Sequence, residues 1–205
     1  MTTAPLDDKS RSRGRPREFD KDAALDKAVC VFSERGYNAA SISELTEAME
    51  LTAGSVYKAF KDKRGIFLAA FDRYRVVRRG LLDERLDGVK TGRDKIREIL
   101  RFYVASSHGD IGRRGCLVVG SANELAIFDD EAAKRVAAAF AANEELLLDL
   151  IRLGQSDGSI AKTLDAVAAA RTLLCLTSGM RVLGKTGRRE EDMTAVADAA
   201  MRLLD

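Results

Sequence analysis

Proline occurs twice in this chain, at Pro5 and Pro16, and is absent from residue 17 to residue 205. A proline inside a helix removes a hydrogen bond and clashes with the preceding turn. A long proline-free stretch rich in Ala, Leu, Arg, Glu and Lys, all good helix formers, therefore predicts an all-α fold. The 205 residues allow one large domain or two small ones. A chain of this size buries roughly 70% of the surface its unfolded form exposes, so it needs no staples. The longest unbroken apolar run, residues 136–142, is seven residues long. A spanning helix needs about 20, so no membrane segment is expected. The first residues lack an apolar h-region, so no secretory signal is expected either.

Lysine and arginine total 34 against 32 aspartates and glutamates, a net charge of +2. That balance hides a cluster: Lys9, Arg11, Arg13, Arg15 and Arg17 follow one another with no acidic residue among them. Residues 1–18 carry both prolines and no apolar periodicity, and read as a flexible basic arm. The cysteines, Cys30, Cys116 and Cys175, are odd in number and widely spaced. They suit neither a disulfide framework nor a zinc site, and fit a reducing cytoplasm. His108 is the one histidine, which excludes a histidine-based triad or metal cluster. No cofactor is expected.

The punctuation of the rest is helical. Asp20 can cap a first helix whose Ala24, Leu25, Ala28, Val29 and Phe32 share a face, with Gly36 as its left-handed terminator. Residues 41–63 read SISELTEAMELTAGSVYKAFKDK. Ser41 or Ser43 can cap a short helix there, and Thr52 a second through Val56 to Phe60. Two short capped helices joined by a tight turn are the helix-turn-helix pattern. Asp62 can cap a longer helix to about residue 86, with Ile66, Phe67, Phe71 and Tyr74 in register. Beyond it come helices near 94–107, 116–126, 130–153, 163–184 and 190–204, with residues 108–115 as a loop, about nine helices in all.

On these residues the sequence resembles the TetR family of one-component transcriptional repressors. The resemblance is carried by residues 15–72. It rests on the basic arm, Phe32, Glu34-Arg35-Gly36-Tyr37, Ser41-Ile42 and above all LTAGSVYKAFKDKRGIF, where Tyr57, Phe60 and Lys63 match a recurring signature. A further segment, RGCLVVGSANELA at 114–126, is similar to one regulatory-domain subgroup. Glu50 stands where the family usually has glycine, which at positive φ costs a non-glycine residue about 1 kcal/mol. Ala53 and Ala59 replace more polar or larger residues, so no operator sequence can be carried over. The resemblance implies a flexible arm at 1–18, a DNA-binding domain at 19–65 and a helical effector-binding and dimerisation domain at 66–205, with the helix at 62–86 connecting the two.

A helix entering the major groove turns unpaired N–H groups and a positive dipole end toward phosphate. The expected DNA contacts are Ser43, Thr52, Ala53, Gly54, Ser55, Tyr57, Lys58 and Lys63, with Arg13, Arg15 and Arg17 reaching an adjacent minor groove. Lys61, Lys63 and Arg64 oppose the dipole of the helix they begin, a placement a nearby phosphate would explain. The family's effector cavity points to Tyr74, Phe102, Tyr103, Cys116, Asn123 and Phe140, with Phe128 in the same region. Cys116 follows Arg113 and Arg114 at a helix start, an environment that favours a sensing thiolate. Cys30 and Cys175 fall on apolar faces and read as core. The last two helices imply a dimer interface through Leu173, Leu176, Met180, Val196, Ala200 and Leu203.

Residues 179–186 fit G-x-x-x-x-G-K-[ST], but a helical run precedes them and no strand does, so a helix end is the better account. The expected function is a homodimeric repressor on a near-palindromic operator, released by a small molecule or an electrophile or redox signal. The alternatives are an enzyme using Cys116 and a protein that coats DNA without sequence preference. The near-neutral charge argues against the latter.

Overall fold

The computed structural model describes residues 19–125 and 129–205. The chain runs through α1 (Lys21–Ala39), α2 (Ile42–Ala48), α3 (Ala53–Phe60), α4 (Lys63–Leu86), α5 (Gly92–Ser106), α6 (Gly109–Arg114), α7 (Leu117–Glu124), α8 (Asp130–Asp157), α9 (Ala166–Gly184) and α10 (Glu190–Met201). A 3-10 turn, Arg202–Leu204, follows, and the described residues contain no strand. Most helix starts obey the expected chemistry. Asp20, Thr52, Asp62 and Asp129 each accept backbone N–H bonds from the first turn they cap. Between the two candidates for α2 the cap is Ser41, whose hydroxyl takes the Glu44 N–H while Glu44 returns to the Ser41 N–H. This reciprocal box satisfies two orphan donors at once.

Three boundaries differ from expectation. The segment read as a loop after His108 holds the six-residue α6. Its Gly112 is buried under the backbone of Ser107, a packing constraint that no local propensity reports. Helix α8 runs on to Asp157 and ends at Gly158 in the left-handed region (φ 81°). Gly36 breaks α1 with φ 80° and ψ 172°, but a further helical turn follows it to Ala39.

Two apolar cores stack end to end. The first gathers Leu25, Phe32, Leu45, Val56, Phe60, Phe67 and Phe71 with Leu117, Leu125 and Val136. It therefore continues from the helix-turn-helix into α7 and α8 without a gap at residue 65. The second holds Leu82 and Leu86 at the far end of α4, Ile96 and Leu100 of α5, Ile151 of α8, Leu173 and Met180 of α9 and Met193 and Ala200 of α10. Helix α4 is long enough to belong to both.

Helix α9 is the one helix among the described residues long and apolar enough to cross a membrane by length and composition. Its stripe of Leu173, Thr177, Met180 and Arg181 is instead buried within the bundle. Leu173, Met180 and Ala200, expected on a dimer surface, thus belong to the chain's own core. Periodicity identified the apolar stripe but not which neighbour covers it. Cys175 lies off that stripe and is exposed, and Cys30 is half-buried, so neither is a core cysteine.

Where α5 crosses α8, glycine is required. A Cβ on Gly92 would stand 2.2 Å from the Gly154 nitrogen and 2.3 Å from the Leu150 carbonyl oxygen, both main-chain atoms. Gly92→Ala gains helix propensity but must push two backbones apart. Thermal or urea unfolding should register a net loss of about 1–3 kcal/mol; an unchanged midpoint would show that the crossing has slack.

Candidate DNA-binding surface and effector cavity

Helix α3 is anchored by one face. Val56 and Phe60 are buried, whereas Ala53, Gly54, Tyr57 and Lys58 are exposed together on the opposite side, with Tyr57 51% exposed. A Cβ on Gly54 would meet nothing, so the fold does not require glycine there. The Thr52 hydroxyl takes the Ser55 N–H at 3.2 Å and lies 2.9 Å from the Ser55 hydroxyl. Ser43 is exposed on α2. Glu50 sits in the turn at φ 56°, the conformation glycine favours, and its carboxylate pairs with Lys27 at 2.7 Å. Arg13, Arg15 and Arg17 lie outside the described residues, as does Phe128.

The cations opening α4 have partners within the chain. The Lys63 ammonium donates to the Asn38 carbonyl at 3.2 Å and stands 4.7 Å above the Tyr37 ring. Lys63 is thus committed to α1 rather than held out as a free charge. Arg64 donates to Asp129 at 2.5 Å and to Glu131 at 2.9 Å. The charge opposing the α4 dipole is balanced by the acidic start of α8 and does not require a phosphate. The same Asp129 oxygen that pairs with Arg64 through its carboxylate also caps α8, so one residue serves both purposes.

A second joint holds the end of α1. Glu124, at the end of α7, accepts from the Tyr37 N–H at 2.8 Å and the Asn38 N–H at 2.5 Å. A Cβ on Gly36 would stand 2.6 Å from that carboxylate, so the α1 break leaves room for the cap. Beside it, Arg114 pairs with Glu34 at 2.8 Å and the Lys185 ammonium reaches the Ser33 carbonyl at 3.3 Å. Lys185 belongs to the sequence that matched a phosphate loop. Those residues are the last turns of α9 and its C-cap, and the lysine is turned to α1.

The cavity, of about 170 Å³, lies where the two cores meet. Tyr74, Cys116, Val118, Ala139 and Phe140 come from the first core or its margin, and Leu82, Phe102, Tyr103 and Leu146 from the second. Five of the six expected effector residues line it: Tyr74, Phe102, Tyr103, Cys116 and Phe140. Asn123 does not; it is exposed near the far end of α7, whose N-terminal turns face the cavity. Asn143 is there instead, with Ser178 and the arginines Arg75, Arg78, Arg79 and Arg181. Arg181 could have been suspected from sequence, because it follows Thr177 by one helical turn on the apolar stripe of α9.

Cys116 caps α7 without a side-chain capping bond, and its sulfur accepts from the Tyr74 hydroxyl at 3.4 Å. Burial, then the neighbouring Cys116, push the Tyr74 phenol well above its ordinary value. Tyr103 is raised by the same two causes. Both phenols stay protonated and remain donors. Arg113 and Arg114 do not approach the Cys116 sulfur: one pairs with Asp110 and the other with Glu34. Arg78 lies with its guanidinium carbon 3.9 Å from the Phe102 ring centroid and donates to Ser106 at 2.9 Å.

Two capped helices presenting one exposed face, carried on a helical body with an internal cavity, define a helix-turn-helix DNA-binding protein. Family models agree along most of the chain. Residues 24–70 match the bacterial regulatory proteins of the tetR family, and residues 92–200 match the tetracyclin repressor-like C-terminal domain. The chain belongs to the TetR family of bacterial transcriptional regulators, DNA-binding proteins rather than enzymes. It is 29% identical to the HTH-type transcriptional repressor ComR of Escherichia coli, over 94% of this chain and 92% of that protein. It is also 29% identical to the repressor KstR2 of Rhodococcus jostii, over 84% and 81% of the two chains. Among solved structures it resembles a cysteine mutant of the TetR regulator CifR in complex with 26-base-pair operator DNA. The identity there is 34%, the TM-score 0.84, and the match covers 94% of this chain and all of the other.

Arg64 and its neighbours hold the Asp129 carboxyl down to about 2 from 3.8, first through the Arg64 hydrogen bond and then through the α8 backbone. A lowered folded value stabilises at pH above the unfolded value and is lost as pH falls toward the folded one. Asp129→Asn keeps a capping residue and breaks the ion pair. It should cost up to about 1 kcal/mol at neutral pH. Measured by denaturation across pH, the difference from the natural protein should shrink between pH 3.8 and about 2. A difference independent of pH would remove the ion pair from the account.

Proposed function

We propose that the protein is a homodimeric repressor released from a near-palindromic operator when a small molecule enters the cavity. The observation that carries this reading is the cavity's place at the seam between two cores, one of which is continuous with the helix-turn-helix. A ligand that prefers one spacing of the two cores shifts the placement of α3, and operator affinity falls by linkage. The exposed face of Ala53, Gly54, Tyr57 and Lys58 reads the major groove, and Ser43, the capping Thr52 and Ser55 in the first turn of α3 contact phosphate. Arg13, Arg15 and Arg17 reach the adjacent minor groove. The CifR complex with operator DNA supports this direction.

Dimerisation doubles the length of sequence read and sets the two reading helices about 34 Å apart. Leu203 and the half-buried Leu176 and Val196 remain available for it. Exposed Leu153, Val167, Val182 and Leu183 extend an apolar surface over α8 and α9. Cys116 opens into the cavity and gives an electrophile a point of attachment.

Site selection from random duplex DNA should enrich an inverted repeat. Tyr57→Ala should then bind the selected site at least about tenfold more weakly, with an unchanged melting temperature. Wild-type affinity in that variant would remove α3 from the interface. Peptide mapping after brief maleimide treatment should show Cys116 modified and operator binding lost, with Cys116→Ser resistant. Modification confined to the exposed Cys175 would exclude Cys116 as the entry point.

A further inference from the structure

Arg181 is 2% exposed and lines the cavity. One terminal nitrogen donates to the Gly115 carbonyl, while Nε and the other terminal nitrogen are buried without a partner. A guanidinium carries five N–H donors and does not lose its proton in proteins, so the missing partner is an acceptor and, by charge, an anion. A second guanidinium, Arg78, enters the same space and reaches only the Ser106 hydroxyl and the Phe102 ring. Among the described residues no aspartate or glutamate lines the cavity. Of its four arginines, among the described residues, Arg79 alone has a carboxylate partner, Asp83. Apolar side chains complete the lining, among them Phe140, Leu82 and Leu146. The cavity is close in size to one of roughly 150 Å³ that admits benzene.

We propose that the cavity takes a small organic carboxylate, its charged end on the free N–H groups of Arg181 beside Arg78 and its apolar body, one ring or a short branched chain, against Phe140 and Leu146. This deepens the effector reading given above and rests on it only for the consequence on DNA. Planar guanidinium and carboxylate match in two parallel bonds, and either fork of Arg181 pairs one free N–H group with the terminal nitrogen that now donates to Gly115. Inorganic phosphate would satisfy the arginines but leave the apolar wall empty. A carboxylate also competes with the Gly115 carbonyl for Arg181. Gly115 joins Arg114, which pairs with Glu34 of α1, to Cys116, which opens α7, so the competition acts on the joint that holds α1.

The test uses the full chain without DNA in low-chloride buffer, by calorimetric titration and thermal shift. The probes are benzoate and 3-methylbutanoate, their neutral amides, and inorganic phosphate. At least one carboxylate should bind at least tenfold more tightly than its amide and than phosphate, and raise Tm. Arg181→Met should abolish the shift, and Arg78→Gln should weaken binding at least tenfold. Arg78→Gln keeps the test decisive if Arg181→Met does not fold. Equal binding of acid and amide, phosphate binding as well as the carboxylates, failure of both acids at millimolar concentration, or full binding by the variants would each overturn the proposal. The selected operator is then added. Release by the carboxylate supports both readings. Binding without release supports the anion site and overturns its role as an effector site. Release by the amide alone overturns the anion site and leaves effector control standing.

Discussion

The proposed control of DNA binding depends on the incomplete packing between two apolar cores. Protein interiors are close-packed, and a void at a junction forfeits dispersion contacts on both of its walls. Here the void is a cavity of about 170 Å³ with a core on either side and two helices, α4 and α8, common to both. Because packed cores resist continuous deformation, a change in the seam moves them as bodies. The body on one side carries α2 and α3.

The joints around the first core make that movement directional. Helix α1 is held from the body side at its end, by the Glu124 carboxylate on two backbone N–H groups and by Arg114 on Glu34. Helix α4 is held at its start by Asp129 and Glu131 through Arg64. Each surface ion pair adds little to stability. Their worth lies in geometry, since α6, α7 and α8 each border the cavity or adjoin residues that do, and each meets α1 or α4 at one of its ends. The same logic makes the buried guanidinium of Arg181 informative: it is the cavity residue whose backbone partner, Gly115, adjoins both Arg114 and Cys116.

Much of this was legible in the sequence, and the parts that were not share a cause. The caps at Asp20, Thr52 and Asp62 are side chains bonding to backbone within three residues, so spacing alone reveals them, whereas for α8 spacing allows Asp129 or Asp130. The exposed face of α3 follows from Val56 and Phe60 being four apart. The family's glycine at the position of Glu50 raised the question of a positive φ there, and the turn has it. What failed depends on residues distant in sequence. The alternation on α9 shows that Leu173 and Met180 are covered, but α5 and α8 rather than a second chain cover them. Lys63 and Arg64 read as free charges until Asn38, Asp129 and Glu131 are brought beside them. An arginine on a helix reads as solvated, so Arg78 declared nothing until the bundle closed over the cavity, and the one signal for Arg181 was its place a turn after Thr177 on the apolar stripe. Short α6 was missed because its buried Gly112 packs against the backbone of Gly184 in α9 as well as that of Ser107, which no local propensity reports.

The most direct test of the central claim fills the seam without a ligand and without touching α3. Ala142 lines the cavity from α8 and is half-buried. The account predicts that Ala142→Phe stays folded by circular dichroism and binds the selected operator at least about tenfold more weakly, because overpacking moves the cores apart. A folded Ala142→Phe protein that binds the operator with wild-type affinity would contradict it, and would detach the cavity from control of the DNA-binding helices.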